Sequence, residues 1–159
     1  MKHLFILICL LGFQKPFAVK SPDFAYDHYM QFKFTCDGEN ISPGLVLENI
    51  PKGTTTLALI MEDIDSPNGA FVHWLVWNIP VTASIPESRS PGVTGKNSRG
   101  QNRYYGPCQP NGIHTYYFKV YALNTSLSIA KSSDKTELLK AMEGHVLSQA
   151  TFRARYQRQ

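Results

Sequence analysis

The sequence predicts a mainly β domain, a sandwich or Greek-key sheet, with one main helix near its C-terminal end. Three observations carry that expectation. Residues 54–61 (TTTLALIM) and 70–79 (AFVHWLVWNI) are rich in β-branched and aromatic residues and are bounded by proline and glycine signals. Residues 114–123 (HTYYFKVYAL) alternate as a half-buried strand does. Helical spacing of apolar residues appears in one C-terminal segment, after Asp134.

The first two strands run almost continuously apolar, the pattern of strands covered on both faces. Residues 32–34 (FKF) and 44–48 (GLVLE) are weaker strand candidates. Between residues 80 and 113 lie Pro80, Pro86, Pro91, Pro107 and Pro110 with five glycines, so a long ordered loop region is expected, and such loops usually serve function. Asp134 with Glu137 forms a capping-box start. Leu138, Leu139, Met142, Val146 and Ala150 then recur at helical spacing, which predicts a helix running through residues 137–150. No repeat or linker divides the chain, and 159 residues suffice for one domain with a real core.

The N-terminus reads differently. Lys2 precedes an apolar run from Leu4 to Phe13, followed by a break and the small residue Ala18. This is the layout of a secretory signal peptide, and the run is too short to span a bilayer. The expectation is a signal peptide over 1–18 and one domain over 19–159, periplasmic or secreted, with no transmembrane segment in the mature chain. A buried N-terminal strand is the alternative. Cys9 follows Ile8 where a lipid-anchor site would want a small residue. Loss of residues 1–18 removes Lys2 and Lys15 and no acid, taking the formal net charge from +4 to +2. That balance gives no argument for a nucleic-acid partner, and Arg153, Arg155 and Arg158 read as an exposed face.

Chemistry concentrates in two stretches. Asp63 and Asp65 are two apart and share a face if the strand continues. By the same parity His73 shares a face with Phe71, Leu75 and Trp77, and the short return brings it back toward the aspartates. His114 and Tyr116 share a face just after the glycine- and proline-framed loop YGPCQPNGIH, residues 105–114. Each has a plainer reading: a buried histidine bonded to an aspartate is common, and Asp65-Ser66-Pro67 is an ordinary turn opener. His145 reads as structural, and Asn40 and Asn124 sit in glycosylation sequons. Two His and two Asp could also hold a metal. The Asp63-Ile64-Asp65 pattern lacks the alternating helices and strands that aspartyl-phosphate enzymes need, and GVTGKNS has Asn97 and Ser90 where a phosphate loop needs Ser or Thr and Gly.

Together, FTCDGENISP, DIDSPNGAFVHWLVWNIP, GPCQPNGIHTYYFKVYAL and GHVLSQA with YQR resemble the phosphatidylethanolamine-binding protein (Raf kinase inhibitor protein) family, in its bacterial YbhB/YbcL branch, over roughly residues 30–158. The resemblance implies a β-sandwich of that type with a small anion pocket. Asp63, Asp65, Pro67 and His73 match the pocket residues of the first motif; Pro110, His114 and Tyr116 match those of the second, with the loop at Gly106, Pro107 and Cys108. It implies phosphate-like ligands (a phospholipid head group or a phosphorylated group), a regulatory or inhibitory role toward a kinase or protease, no cofactor and no established catalysis. Ile64, Gln109, Gly44 and Leu47 depart from the family pattern, at positions that shape the pocket rim in the resemblance. The match also places the Cys36 and Cys108 loops near the pocket. They can pair if their Cα atoms lie within about 7 Å, and two separate thiols is the alternative.

Two carboxylates repel an anion unless they are engaged. An aspartate accepting from an imidazole fixes its tautomer, so the acids are expected to hold the histidines as donors rather than to meet the ligand. The competing function is a hydrolase using Cys108 with His114, or a metal-activated water. A purely adhesive module is the third reading and predicts no bound anion.

Overall fold

A computed structural model of the chain describes residues 15–158, so most of the expected signal peptide lies outside the described residues. Among the described residues, eight strands form two antiparallel sheets. The smaller sheet holds β1 (Ala18–Lys20), β2 (Leu45–Glu48) and β5 (Ser84–Ile85), in the order β1-β2-β5. The larger holds β3 (Thr56–Asp63), β4 (Phe71–Pro80), β6 (Val93–Thr94), β7 (Ile113–Leu123) and β8 (Val146–Gln157), in the order β6-β4-β3-β7-β8.

The apolar continuity of β3 follows from its central place: all eight of its residues are buried. Leu57, Leu59 and Met61 face the small sheet in a core with Val19, Leu47, Trp74, Phe118 and Phe152. Ala58 and Ile60 face the other way, against Leu75, Trp77, Leu138 and Met142, where the helix α1 (Lys135–Met142) covers the sheet. Both faces of the large sheet are therefore dry, which suits an unalternating run. Beside α1, Glu62 is 2% exposed and takes Lys119 at 2.5 Å and also Lys135, tying the helix start to β3 and β7.

Two expectations are corrected, for the end of the helix and for FKF. The helix begins as read, with Asp134 accepting from the Glu137 amide in a complete capping box, but it stops at Met142. Gly144, at φ +75°, turns the chain, and residues 146–157 form the longest strand. FKF is a 3-10 turn, Phe32–Phe34, that drives Phe34 wholly into the core. The arginine-bearing tail is the β8 strand, where Ala150, Phe152, Ala154 and Tyr156 alternate inward and Arg153 and Arg155 pair with Asp27 outward.

The expected cleavage point at Ala18 falls inside β1. Phe17 and Val19 belong to the core, and Ala18 pairs with Glu48. The loop of 80–113 is ordered because it docks on the free edge of β4: the amides of Gly95, Ser98 and Tyr105 donate to the carbonyls of Leu75, Val72 and His73. That docking carries residues 99–111 to the end of the large sheet where β3 runs out. Among the described residues no helix is long and apolar enough to cross a membrane.

Candidate functional site

A cavity of about 320 Å³ opens at that end of the sheet. Asp63 closes it from β3, Phe71 and His73 from β4, His114 from β7. The 65–69 turn adds Ser66 and Pro67, and the long loop adds Arg99, Tyr105, Cys108, Gln109, Pro110 and Asn111.

His73 reaches it through a β-bulge. Met61 pairs with Trp74 and Glu62 pairs with Val72, so His73 is the extra residue. Simple parity puts His73 on the face of Leu75 and Trp77; instead Val72 joins those residues on the outer face, and His73 lies beside Phe71 with ring centroids 4.8 Å apart. Its Nδ1–H donates to the Tyr105 carbonyl at 2.6 Å. The ring is 4% exposed, and burial lowers its pKa to about 4, against the opposing pull of that carbonyl and of Asp63. His73 is thus held neutral by the backbone, which corrects the expectation that the aspartates hold both histidines.

Asp63 does hold His114. The carboxylate, 4% exposed, accepts His114 Nδ1–H at 2.7 Å on Oδ2 and the Asp65 amide at 2.9 Å on Oδ1. Strand β3 ends at Asp63, so the two aspartates do not share a face. Asp65 turns away and accepts the Thr115 amide at 2.7 Å, pinning the turn to β7.

The loop wall is fixed from behind. Asn97, buried, accepts the amides of Arg99 and Gln101 and donates to the Arg103 carbonyl. The Arg99 guanidinium lies 4.2 Å above the Tyr105 ring, a cation–π contact at the rim. Gly106 has no room for a side chain, because a Cβ would stand 2.4 Å from the Phe34 carbonyl oxygen, and the Gly106 amide donates to Asn40 Oδ1 at 2.7 Å.

Cys36 and Cys108 are joined in a disulfide with Cα atoms 5.3 Å apart, and the Cys36 amide donates to the Pro107 carbonyl at 3.0 Å. Gln109 stands where the family pattern has proline and ties the loop to two strands. Its Oε1 accepts the Tyr116 hydroxyl, and its Nε2 donates to the Tyr156 carbonyl at 2.8 Å.

Of the sequence-predicted residues, Asp63, Pro67, His73, Cys108, Pro110 and His114 line the cavity. Asp65, Gly106, Pro107 and Tyr116 stand behind it. Tyr116 is wholly buried, edge-on to His73 at 5.2 Å, and burial raises its hydroxyl pKa. Sequence reasoning missed Ser66, Phe71, Arg99, Tyr105, Gln109 and Asn111. Tyr105 and Asn111 lay inside the singled-out loop, but nothing in the sequence marked Arg99, which arrives through loop docking. Among the described residues no group of three or more His, Cys, Asp or Glu side chains is placed to hold a metal ion. Cys108, in its disulfide, offers no thiolate to a hydrolytic mechanism.

Comparison with known proteins agrees with this architecture. Residues 20–157 match the sequence model described as phosphatidylethanolamine-binding protein. UPF0098 protein PH1269 of Pyrococcus horikoshii is 36% identical over 162 aligned positions, covering 94% of this chain and 82% of that protein. The crystal structure of a putative phosphatidylethanolamine-binding protein homolog, CT736 of Chlamydia trachomatis, superposes with a TM-score of 0.87 at 34% identity, covering 91% of this chain and 99% of that one. Escherichia coli YbcL, described as a new member of the mammalian family, gives 0.84 at 26% identity, covering 91% of this chain and 100% of its own.

Proposed function

Because the chain belongs to the phosphatidylethanolamine-binding protein family, we propose that it is an exported binding module whose cavity takes a phosphate-like anion and whose role is regulatory. The observation that carries this is the engagement of Asp63. Both of its oxygens are taken by donors inside the fold, Asp65 N–H and His114 Nδ1–H, so its charge is not left facing a ligand. His114 lines the cavity beside that carboxylate, with Nδ1 committed to Asp63 and Nε2 left for a ligand oxygen. Arg99 adds a fixed positive charge at the rim. Gln109 is held by one bond at each end of its amide, which leaves one Nε2–H without a partner among these bonds.

The chemistry recognised is a phosphoryl oxygen cluster, whether on a phospholipid head group, a phosphorylated ligand or free phosphate. A kinase or protease partner is part of the same family-based reading. A charge-assisted hydrogen bond contributes about 1.5–3 kcal/mol, so His114→Ala is expected to weaken binding of inorganic phosphate by about one to two decades. Calorimetry on the folded wild type and variant checks this. Equal affinity in the two would place the anion elsewhere, and no heat with either would remove the anion reading.

Export fits the Cys36–Cys108 disulfide, since such bonds persist in oxidising compartments. The core position of Phe17 and the bond from Asn49 Nδ2 to the Pro16 carbonyl favour a cut before Pro16 over one after Ala18. N-terminal sequencing of the exported protein is expected to find Phe17 retained. A mature chain starting at Val19, or an uncleaved cytoplasmic chain, would contradict this account of processing.

A further inference from the structure

We propose that His73 makes the cavity selective for a phosphoryl group that carries a proton, so that inorganic phosphate and terminal phosphomonoesters enter in preference to sulfate and phosphodiesters. The inference rests on the anion-pocket reading above and narrows its ligand class.

The tautomer of His73 is fixed by its backbone partner. A backbone carbonyl can only accept, so the 2.6 Å contact between Nδ1 and the Tyr105 oxygen places the ring proton on Nδ1. In the neutral ring Nε2 therefore carries a lone pair, and among the described residues no donor is paired with it. The ring is 4% exposed and packed by Phe71, Tyr105 and Tyr116, with centroids at 4.8, 6.0 and 5.2 Å, so it cannot turn over without breaking that packing. It lines the cavity. An acceptor nitrogen is an odd feature in a site for anions: a bare anionic oxygen and a lone pair repel each other. A P–O–H group resolves the conflict by donating to Nε2.

Ligands sort by whether they bring that proton. The hydrogen phosphate dianion keeps a P–O–H at neutral pH. Sulfate has the same charge and nearly the same size and has no proton to offer. A phosphomonoester has its second pKa near 6, so about a tenth of it is protonated at pH 7. A phosphodiester, the form found in a phospholipid head group, offers none. Sulfate and phosphodiesters, the two proton-free anions, must instead draw a proton from solution onto Nε2. Burial holds the ring pKa near 4, so at pH 7 this costs up to about three decades in affinity before the anion's own attraction offsets part of it. The other charged or titratable groups facing the ring are Asp63 from β3, Arg99 from the docked loop, and His114 and Tyr116 from β7. The hydrogen phosphate dianion and sulfate carry the same charge, and the dihydrogen form also present at pH 7 carries less, so tighter binding of phosphate cannot come from charge and reports the proton.

The test is calorimetric titration of the mature protein at pH 7 with inorganic phosphate and with sulfate, then with methyl phosphate and dimethyl phosphate. Phosphate is expected to bind at least about tenfold tighter than sulfate, and methyl phosphate tighter than dimethyl phosphate. In His73→Gln, whose amide can turn a donor toward a bare oxygen, the phosphate-to-sulfate ratio should collapse toward one. Nitrogen-15 NMR of the wild-type ring supplies a readout that does not depend on the variant folding: a neutral ring protonated at Nδ1 is required at pH 7. Sulfate binding as tightly as phosphate, dimethyl phosphate matching methyl phosphate, or a doubly protonated free ring each overturns the selectivity while leaving an anion pocket standing. Failure of all four anions to bind removes the pocket reading and this inference with it.

Discussion

Replacing Cys36 and Cys108 together by alanine is expected to lower the stability of the folded protein by about 4 kcal/mol. The bond joins residues 72 apart, so it removes a long loop's worth of freedom from the unfolded chain. In the chain-entropy account the gain grows with the logarithm of loop length, and a span of this size lies near the upper end of the range. The folded state is expected to change much less. The same two segments are also held by Cys36 N–H to the Pro107 carbonyl, by Gly106 N–H to Asn40, and by the Tyr104 hydroxyl to the Phe34 carbonyl at 2.6 Å. The double variant should therefore keep its near-native structure and melt lower by about 10 °C or more, at roughly 2–4 °C per kcal/mol for a domain of this size. Reduction of the wild type should reproduce the loss, and reductant should leave the variant unaffected. A melting temperature that responds to neither change would mean that the bond does not constrain the unfolded chain.

The sequence displays its large sheet wherever burial is simple. β3 and β4 read correctly because both faces are covered, and β7 because its inner positions, Tyr116, Phe118 and Val120, alternate with partly exposed ones. The start of α1 was legible because a capping box is a local device. Its end was not: Val146 and Ala150 fall at helical spacing from Met142 by coincidence, and the deciding feature is the left-handed turn at Gly144. The alternation of Ala150, Phe152, Ala154 and Tyr156 was present in the same residues and is what the fold uses.

The candidate site divides along the same line. Asp63 and His114 face each other because β3 and β7 are neighbours in register, with Asp63 opposite Tyr116, and strand parity brings the histidine onto the right side. His73 reaches the cavity by a route that parity contradicts, since a bulge depends on how two strands meet and leaves no mark in one of them. Arg99 and Tyr105 depend on a loop docked along β4 through backbone amides, which any sequence can supply. Gln109, seen only as a departure from proline, proves to be the strut between β7 and β8.

The buried His73 ring also carries the second large effect. Acidification from pH 6.5 to about 4 is expected to cost the protein about 3 kcal/mol through this one residue. Burial lowers the ring pKa in the fold to about 4, whereas the unfolded chain takes its proton near the ordinary value of 6.5. Above pH 6.5 neither state is protonated and the contribution to stability is complete. Between 6.5 and 4 only the unfolded state binds the proton, so stability falls with falling pH at up to about 1.4 kcal/mol per unit. Below about 4 both states are protonated and the loss levels off. Other groups slope in the same direction. Asp27, held low by Arg155, and Glu62, where Lys119 and Lys135 outweigh the opposing effect of burial, also favour the folded state less as they protonate. The informative quantity is therefore the difference between wild type and His73→Phe, which keeps an aromatic ring in the same packing and has no proton to gain. Urea unfolding at several pH values should show the variant less stable at pH 7, where it lacks the bond to Tyr105, and less sensitive to acid between 6.5 and 4. Parallel stability curves over that window would show that the ring titrates alike in both states, and the neutral, backbone-held His73 would have to be abandoned.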